Sequence, residues 1–271
     1  MSEKQEAIIL SAARTAIGKF QGGLSSIPPV RLGAAAIQAA VERAGVAPRE
    51  IEEVLMGQVI QAGNGQAPAR QAAIFAGLPA SVGASTVNKV CGSGLKAVMF
   101  AAQAIRAGDA DLLVAGGMES MSRAPYLVNG RLGEMKFGHG QLTDALLHDG
   151  LWDPFENWGM GMAAEFIADE YKVSREAMDE FALRSHQKAV AAQEAGKFKA
   201  EIAPVKLAGR KGEEIIFEAD EGPRKDTSLE SLAKLKPAFK PGGKVTPGNS
   251  SSMNDGAAAV LVAQGFLKVA G

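Results

Sequence analysis

Cysteine is almost absent from this sequence: Cys91 is the only one in 271 residues. A single thiol excludes an internal disulfide and the multi-cysteine kind of zinc site, and it fits a reducing compartment. Long apolar runs are missing too. No stretch reaches the roughly 20 residues a membrane span needs. The first ten residues, MSEKQEAIIL, carry neither a signal core nor an arginine-rich leader. The expected location is the cytoplasm, with no membrane partner. A surplus of charge is also missing: Lys+Arg 29 against Asp+Glu 30 leaves a net charge of -1. The chain as a whole therefore offers no electrostatic footprint for nucleic acid.

Glycine is what the sequence has in excess, 32 of 271 residues against a usual share of about 7%. Tight turns and close backbone approaches follow from that. Apolar runs at 7–12, 54–60, 85–90 and 111–115 read as strands. Between them, Arg31–Ala44, Gln66–Ala76 and Ser93–Ala107 carry helical spacing, and each is stopped by a glycine, Gly45, Gly77 and Gly108. Strands alternating with helices predict an α/β unit with a mostly parallel sheet. From 119 the texture turns irregular. Helices are expected over Met160–Tyr171 and Arg175–Ala195, the second capped by Ser174, while 199–240 is charged with short strands at most. A buried strand returns at Ala257–Val262. The spacing predicts a core domain of residues 1–118 and 251–271, with 119–250 inserted.

Chemistry concentrates at Val87-Asn88-Lys89-Val90-Cys91-Gly92-Ser93-Gly94-Leu95. A strand ends, a sharp turn holds the cysteine, and a helix begins. Free N–H groups and the partial positive charge of a helix start favour thiolate over thiol, and thiolate is the nucleophile. The commoner fate of a free cysteine is burial as a small hydrophobe. Met118 to Met121 pairs soft thioethers with the hard carboxylate of Glu119, a poor ligand set for one ion. It reads as packing beneath the nucleophile helix, with Glu119 hydrogen-bonded. No metal site is expected.

Four ordered segments carry a resemblance. Asn88-Lys89-Val90-Cys91-Gly92-Ser93-Gly94 is similar to the nucleophile segment of thiolases. Ala115-Gly116-Gly117-Met118-Glu119-Ser120-Met121-Ser122 resembles a second signature, and Gly248 to Ala258 (GNSSSMNDGAA) a third. Ala13 to Phe20 (ARTAIGKF) resembles a fourth. Within the family the likeness is greatest to acetyl-CoA acetyltransferases. The resemblance implies a thiolase-like α/β fold of two similar halves stacked in five layers, with a loop domain inserted in the first half. This chain covers the first half and the loop domain. The Gly-His-Pro segment, the second cysteine and the Asn-Glu segment of the other half do not occur here, and His139, His148 and His186 match no catalytic position.

The resemblance further implies site roles. Cys91 is the catalytic nucleophile. Coenzyme A contacts fall on Leu151 and Met160 along the pantetheine arm, and on Arg224 and Ser231 beside the nucleotide. Leu235, Ala238 and Phe239 form the adenine wall, and Gly248 and Ser251 meet the pantetheine amides. Without it, the segment around Leu235 and Phe239 reads as a turn with core anchors. The implied activity condenses two acetyl-CoA to acetoacetyl-CoA and CoA, and runs the reverse thiolysis, through an acyl-cysteine; it belongs to fatty acid metabolism. Coenzyme A thioesters are substrates, and no cofactor is required. Partners are further copies of the chain, as a dimer or tetramer, through a segment at Arg123 to Asp144, and a C-terminal half. Gly159 and Pro247 depart from the family pattern, which has histidine and alanine there. They keep open a 3-oxoacyl-CoA thiolase of longer-chain specificity. A ketoacyl synthase and a non-catalytic acyl-CoA-binding subunit are the other readings.

Overall fold

The computed structural model describes residues 6–130, 138–209 and 212–265. In chain order its elements begin with β1 (Ala7–Thr15), β2 (Gly18–Lys19), α1 (Pro29–Ala44), β3 (Glu53–Gly57) and α2 (Pro68–Phe75). Next come β4 (Gly83–Val87), α3 (Ser93–Ala107) and β5 (Leu112–Ser120). The middle of the chain holds β6 (Tyr126–Leu127), β7 (Thr143–Asp144), a π-type turn at Leu146–Leu151, β8 (Trp152–Asp153), β9 (Trp158–Gly159), α4 (Met160–Glu170) and α5 (Arg175–Glu194). The last elements are β10 (Ile202–Ala203), β11 (Val205–Ala208), β12 (Glu214–Phe217), α6 (Leu229–Ala233) and β13 (Asn254–Gln264).

Two compact units emerge. The first is 1–124 with 201–220 and 254–271; the second is 125–200 with 221–253. Residues 201–220, expected inside the insert, group with the first unit. Strand pairing and hydrogen bonds to β1 tie them there. β10 pairs in parallel with β1 at Arg14↔Ile202, and Arg14 forks onto both carboxylate oxygens of Asp220 at 2.8 and 3.0 Å. Burial alone would raise the Asp220 carboxyl; the hydrogen bonds from Arg14 and from the Ile17 N–H outweigh it and hold the group below the usual carboxylate range.

The first unit is a sheet in the order β10-β1-β13-β5-β3-β4, with β2 paired to β13. It is mixed. β3 runs parallel to β4 and β5, but β13 lies antiparallel between β1 and β5. Side-chain alternation sorts the core by face. Val54, Met56, Leu112, Val114, Ala259 and Leu261 point to one side, where Leu32, Ala36, Ile37 and Ala40 of α1 meet them. Leu55, Leu113, Ala115 and Val262 point to the other, against Ala97, Ala101 and Ile105 of α3. At about 1.5–3 kcal/mol for each large apolar side chain removed from water, these two layers dominate the unit's stability.

The strand expected at 111–115 runs on to Ser120, so that Gly116 and Gly117 lie inside β5, opposite Ala259 and Ala258 of β13. A side chain has no room at Gly116 and little at Gly117. A Cβ on Gly116 would fall 2.1 Å from the Ala258 carbonyl oxygen, and one on Gly117 3.3 Å from the Gly94 Cα. Gly57 is tighter toward α3, its would-be Cβ 2.5 Å from both the Gly94 nitrogen and the Ser93 carbonyl carbon. The helix start thus rests on bare backbone.

In the second unit Ser174 caps α5, accepting a hydrogen bond from the Ala177 N–H at 3.1 Å, and Gly196 follows in the left-handed region at φ 67. Among the described residues no helix is long and apolar enough to cross a membrane. Of the segment 123–144, residues 131–137 lie outside the described residues.

Candidate active site

Cys91 sits where β4 has ended and α3 is about to begin, and it is exposed. It is therefore not the small buried hydrophobe that free cysteines commonly become. The turn that presents it is unusual. Val90, immediately before it, has φ 46, a left-handed conformation that is an outlier for a β-branched residue. Both of its backbone polar groups are held. Its N–H donates to Asn88 Oδ1 at 2.9 Å, and its carbonyl accepts from Ser93 Oγ at 2.6 Å and from the Ser93 N–H at 3.1 Å. Ser93 Oγ also accepts from the Lys89 N–H at 2.9 Å. One buried hydroxyl therefore staples the turn at two points. Lys89 is itself exposed.

α3 has no capping side chain at its N-terminus; Gly92 occupies that position. The Gly92 and Ser93 N–H groups donate to the Lys89 and Val90 carbonyls at 3.0 and 3.1 Å, and with no capping side chain the next N–H groups of the helix are the ones suited to a developing oxyanion. Behind the turn, Glu119 Oε2 accepts from the N–H groups of Val59 at 2.8 Å and Ile60 at 3.2 Å. Burial pushes this carboxyl up from its ordinary value, opposed by those amide bonds and reinforced by nearby Asp255. The hydrogen-bonded packing role expected for Glu119 is what the geometry has. Asp255, fully buried, accepts from Ser120 Oγ at 3.2 Å and the Ser122 N–H at 3.0 Å.

All nine residues expected at coenzyme A fall in the second unit. Leu151 and Met160 lie just outside the paired ends of the β8–β9 hairpin, whose register is Trp152↔Gly159. Gly159 has room: an added Cβ would find its nearest neighbour, the Leu151 carbonyl oxygen, at 3.8 Å. Phe239 lays its ring on the backbone of α4 at Gly161, where a Cβ would fall 2.3 Å from it. Ala238 donates its N–H to the Val245 carbonyl at 2.9 Å. Gly248 is pressed by Leu232 and Leu235, each 2.5 Å from a would-be Cβ. Ser231 belongs to a capping box with Ser228 at the start of α6. Arg224 and Ser251 are exposed, and the Arg224 N–H donates to His186 Nδ1 at 3.2 Å.

A framework behind these residues escaped the sequence reading. Arg175 and Asp179 pair at 2.8 Å along α5. Arg175 also donates to the Leu232 and Leu235 carbonyls at 2.7 and 3.1 Å. Asp179 accepts from Asn249 Nδ2 at 2.8 Å, beside Gly248. Glu165, fully buried on α4, accepts from the Lys244 and Val245 N–H groups, each at 2.8 Å. Sequence offered one weak signal, an Arg and an Asp at i,i+4, a spacing equally common on solvated faces. Among the described residues no group of three or more His, Cys, Asp or Glu side chains gathers as a metal site.

Known proteins resemble the chain over nearly its whole length. The chain is 54% identical over 258 residues to an acetyl-CoA acetyltransferase of Pseudomonas aeruginosa, covering 95% of this chain and 66% of the relative. It is 56% identical over 257 residues to an acetyl-CoA acetyltransferase of Cupriavidus necator, covering 95% and 65%. The crystal structure of the Bacillus anthracis acetyl-CoA acetyltransferase superposes with a TM-score of 0.94 at 39% identity, covering 98% of this chain and 67% of that one. The chain thus spans just under two thirds of the length of the curated relatives it matches. The family model described as thiolase, N-terminal domain, matches residues 7–265. With a turn that presents a lone cysteine at a helix start and a match that takes in nearly every residue, the chain belongs to the thiolase family.

Proposed function

We propose that this chain supplies the nucleophile and the coenzyme A contact surface of an acetyl-CoA C-acetyltransferase working in the cytoplasm, in fatty acid metabolism. The observation that carries the reading is Cys91: exposed, at the mouth of an uncapped 15-residue helix, behind a strained and stapled turn. In the first half-reaction the Cys91 thiolate attacks the thioester carbon of acetyl-CoA. A C–S bond to Cys91 forms, the C–S bond to coenzyme A breaks, and the departing thiolate takes a proton. N–H groups at the helix start hold the transient oxyanion. In the second, another acetyl-CoA loses an α-proton to a base, its carbanion attacks the acetyl-Cys91, and acetoacetyl-CoA leaves as the Cys91 thiolate returns. Thiolysis is the reverse.

The second unit takes coenzyme A in this reading. Leu151 and Met160 flank the pantetheine arm, Arg224 and Ser231 the nucleotide, and Gly248 and Ser251 the pantetheine amides. Leu235, Ala238 and Phe239 give adenine a dry face. Coenzyme A thioesters are substrates, and no resident cofactor is assigned. A second α/β half is the partner expected on α3, where Leu95, Met99 and Phe100 are exposed beside a cavity of about 300 Å³ lined by Leu95, Val98, Ala115 and Val260. Self-association is supported by β4, whose one partner strand among the described residues is β3. The test is intact mass after incubation with acetyl-CoA. Residues 1–271 alone should not turn over, but one acetyl group should appear slowly on wild-type protein and none on Cys91→Ala; an unmodified wild type, or an adduct that survives the substitution, refutes the assignment.

A further inference from the structure

We propose that Glu119 is a positioning residue for Cys91, acting through the segment after β3 and through Asn88. The inference rests on Cys91 being the acyl-accepting nucleophile. Its geometry is a continuous path of hydrogen bonds. Glu119 Oε2 accepts from the N–H groups of Val59 and Ile60 at 2.8 and 3.2 Å. The Val59 carbonyl accepts from Asn88 Nδ2 at 3.4 Å. Asn88 Oδ1 in turn accepts from the Val90 N–H at 2.9 Å, and Val90 is bonded covalently to Cys91.

Each link has a reason to matter. β3 ends at Gly57, so Val59 and Ile60 have left the ladder and their N–H groups need an acceptor. A carboxylate at the end of β5 provides one oxygen for both. That oxygen fixes where the Val59 carbonyl lies, and hence where Asn88 is held by its amide nitrogen. The other end of the same amide keeps Val90 left-handed at φ 46, a conformation that persists only when its surroundings over-determine it. Ser93 secures the carbonyl side of Val90; Asn88 secures the amide side. An apolar residue at 119 would fill the space and break the path. Glutamate is kept in a place where burial opposes its charge, and the two loop amides are what it holds there.

Alkylation of Cys91 by iodoacetamide in the 271-residue chain, followed by intact mass, tests this without any use of coenzyme A. A displaced turn draws the thiol away from the helix-start N–H groups. Glu119→Ala and Asn88→Ala should therefore each label about tenfold more slowly than wild type. Because both cut one path, the double variant should be no slower than either single one. Glu119→Gln, whose amide oxygen accepts the same two bonds, should stay within about threefold of wild type. Multiplying losses in the double variant, a glutamine variant as slow as the alanine one, or Asn88→Ala at the wild-type rate would each overturn the proposal. Asn88 is exposed, so its variant decides the matter even where Glu119→Ala does not fold. Absence of acetylation of wild-type Cys91 by acetyl-CoA would sink the acyltransferase reading, whereas these alkylation ratios stand apart from it.

Discussion

Substituting Gly57 by alanine would place a methyl carbon 2.5 Å from the Gly94 nitrogen and 2.5 Å from the Ser93 carbonyl carbon. Non-bonded carbon contacts settle near 3.5 Å, so the start of α3 would have to retreat by about 1 Å. Both obstacles are backbone, and no rotamer change relieves them. Overpacking of this kind costs about 1–3 kcal/mol. The displacement passes directly to Cys91, two residues ahead of Ser93, and misplacement by about 1 Å can lower a reaction a hundredfold. Gly94 is the contrasting site. It stands inside the Cys-Gly-Ser-Gly motif and looks the stricter of the two. Yet its Cβ would meet the Gly116 oxygen and the Gly117 Cα at an ordinary 3.6 Å, and alanine in a helix gains about 0.5–1 kcal/mol over glycine. Urea unfolding at constant m reads stability, and acetylation of Cys91 by acetyl-CoA reads the displacement. Gly57→Ala should lose in both; Gly94→Ala should unfold within about 1 kcal/mol of wild type. A larger stability loss for Gly94→Ala, or a wild-type result for Gly57→Ala, would refute the reasoning.

Three further outcomes follow from the geometry. Gly161→Ala should evict the Phe239 ring, 2.3 Å from the new Cβ, and weaken coenzyme A binding measured by calorimetry; unchanged affinity would remove Phe239 from the adenine wall. Asp220→Asn should destabilise the chain at pH 7. Because the folded Asp220 carboxyl lies below its unfolded value, its contribution is present above about pH 4 and lost as pH falls through the folded value. The gap between variant and wild type in thermal melts should therefore narrow in acid, and a constant gap would contradict the Arg14 pairing as its source. Sedimentation at micromolar concentration should show a self-associated species; a lone monomer would count against β4 as a pairing edge.

Much of the fold was legible because its punctuation is local. α1 and α3 follow from apolar spacing and from the glycines after them, and α5 from Ser174, a helix cap recognisable from its type and place. Boundaries moved where proline decided them: α1 and α2 start at Pro29 and Pro68, since a helix's first position needs no N–H donor. The position of β13 was not legible. Nothing in a strand's own residues says that it will lie antiparallel between β1 and β5, because that order is fixed by partners more than 100 residues away. The strand expected at 111–115 runs on through Gly116 and Gly117 for a related reason. Glycine inside a strand marks a close approach as readily as a stop, and the approaching atoms belong to α3 and β13. At the candidate site, Cys91 announced itself through its turn. Arg175, Asp179 and Glu165 did not, since charged residues on a helix look alike whether they face water or hold a loop, and nothing in the segment from Gly248 marks the bond from Asn249 to Asp179.

The place of β13 also sets a timetable for synthesis. At about 5–20 residues per second, a ribosome needs roughly 7–27 s to travel from Ser120 to Asn254. Throughout that interval β1 and β5 have emerged without the strand that joins them, and the apolar face under α1 lacks Ala259, Leu261 and Ala263. The nascent chain must hold an open, strand-edged intermediate for roughly a million times longer than a hairpin takes to close. Such edges are what chaperones capture and what aggregates propagate from. A polypeptide ended shortly before Asn254 should remain bound to a holdase chaperone during translation, and one extended past Gln264 should be released.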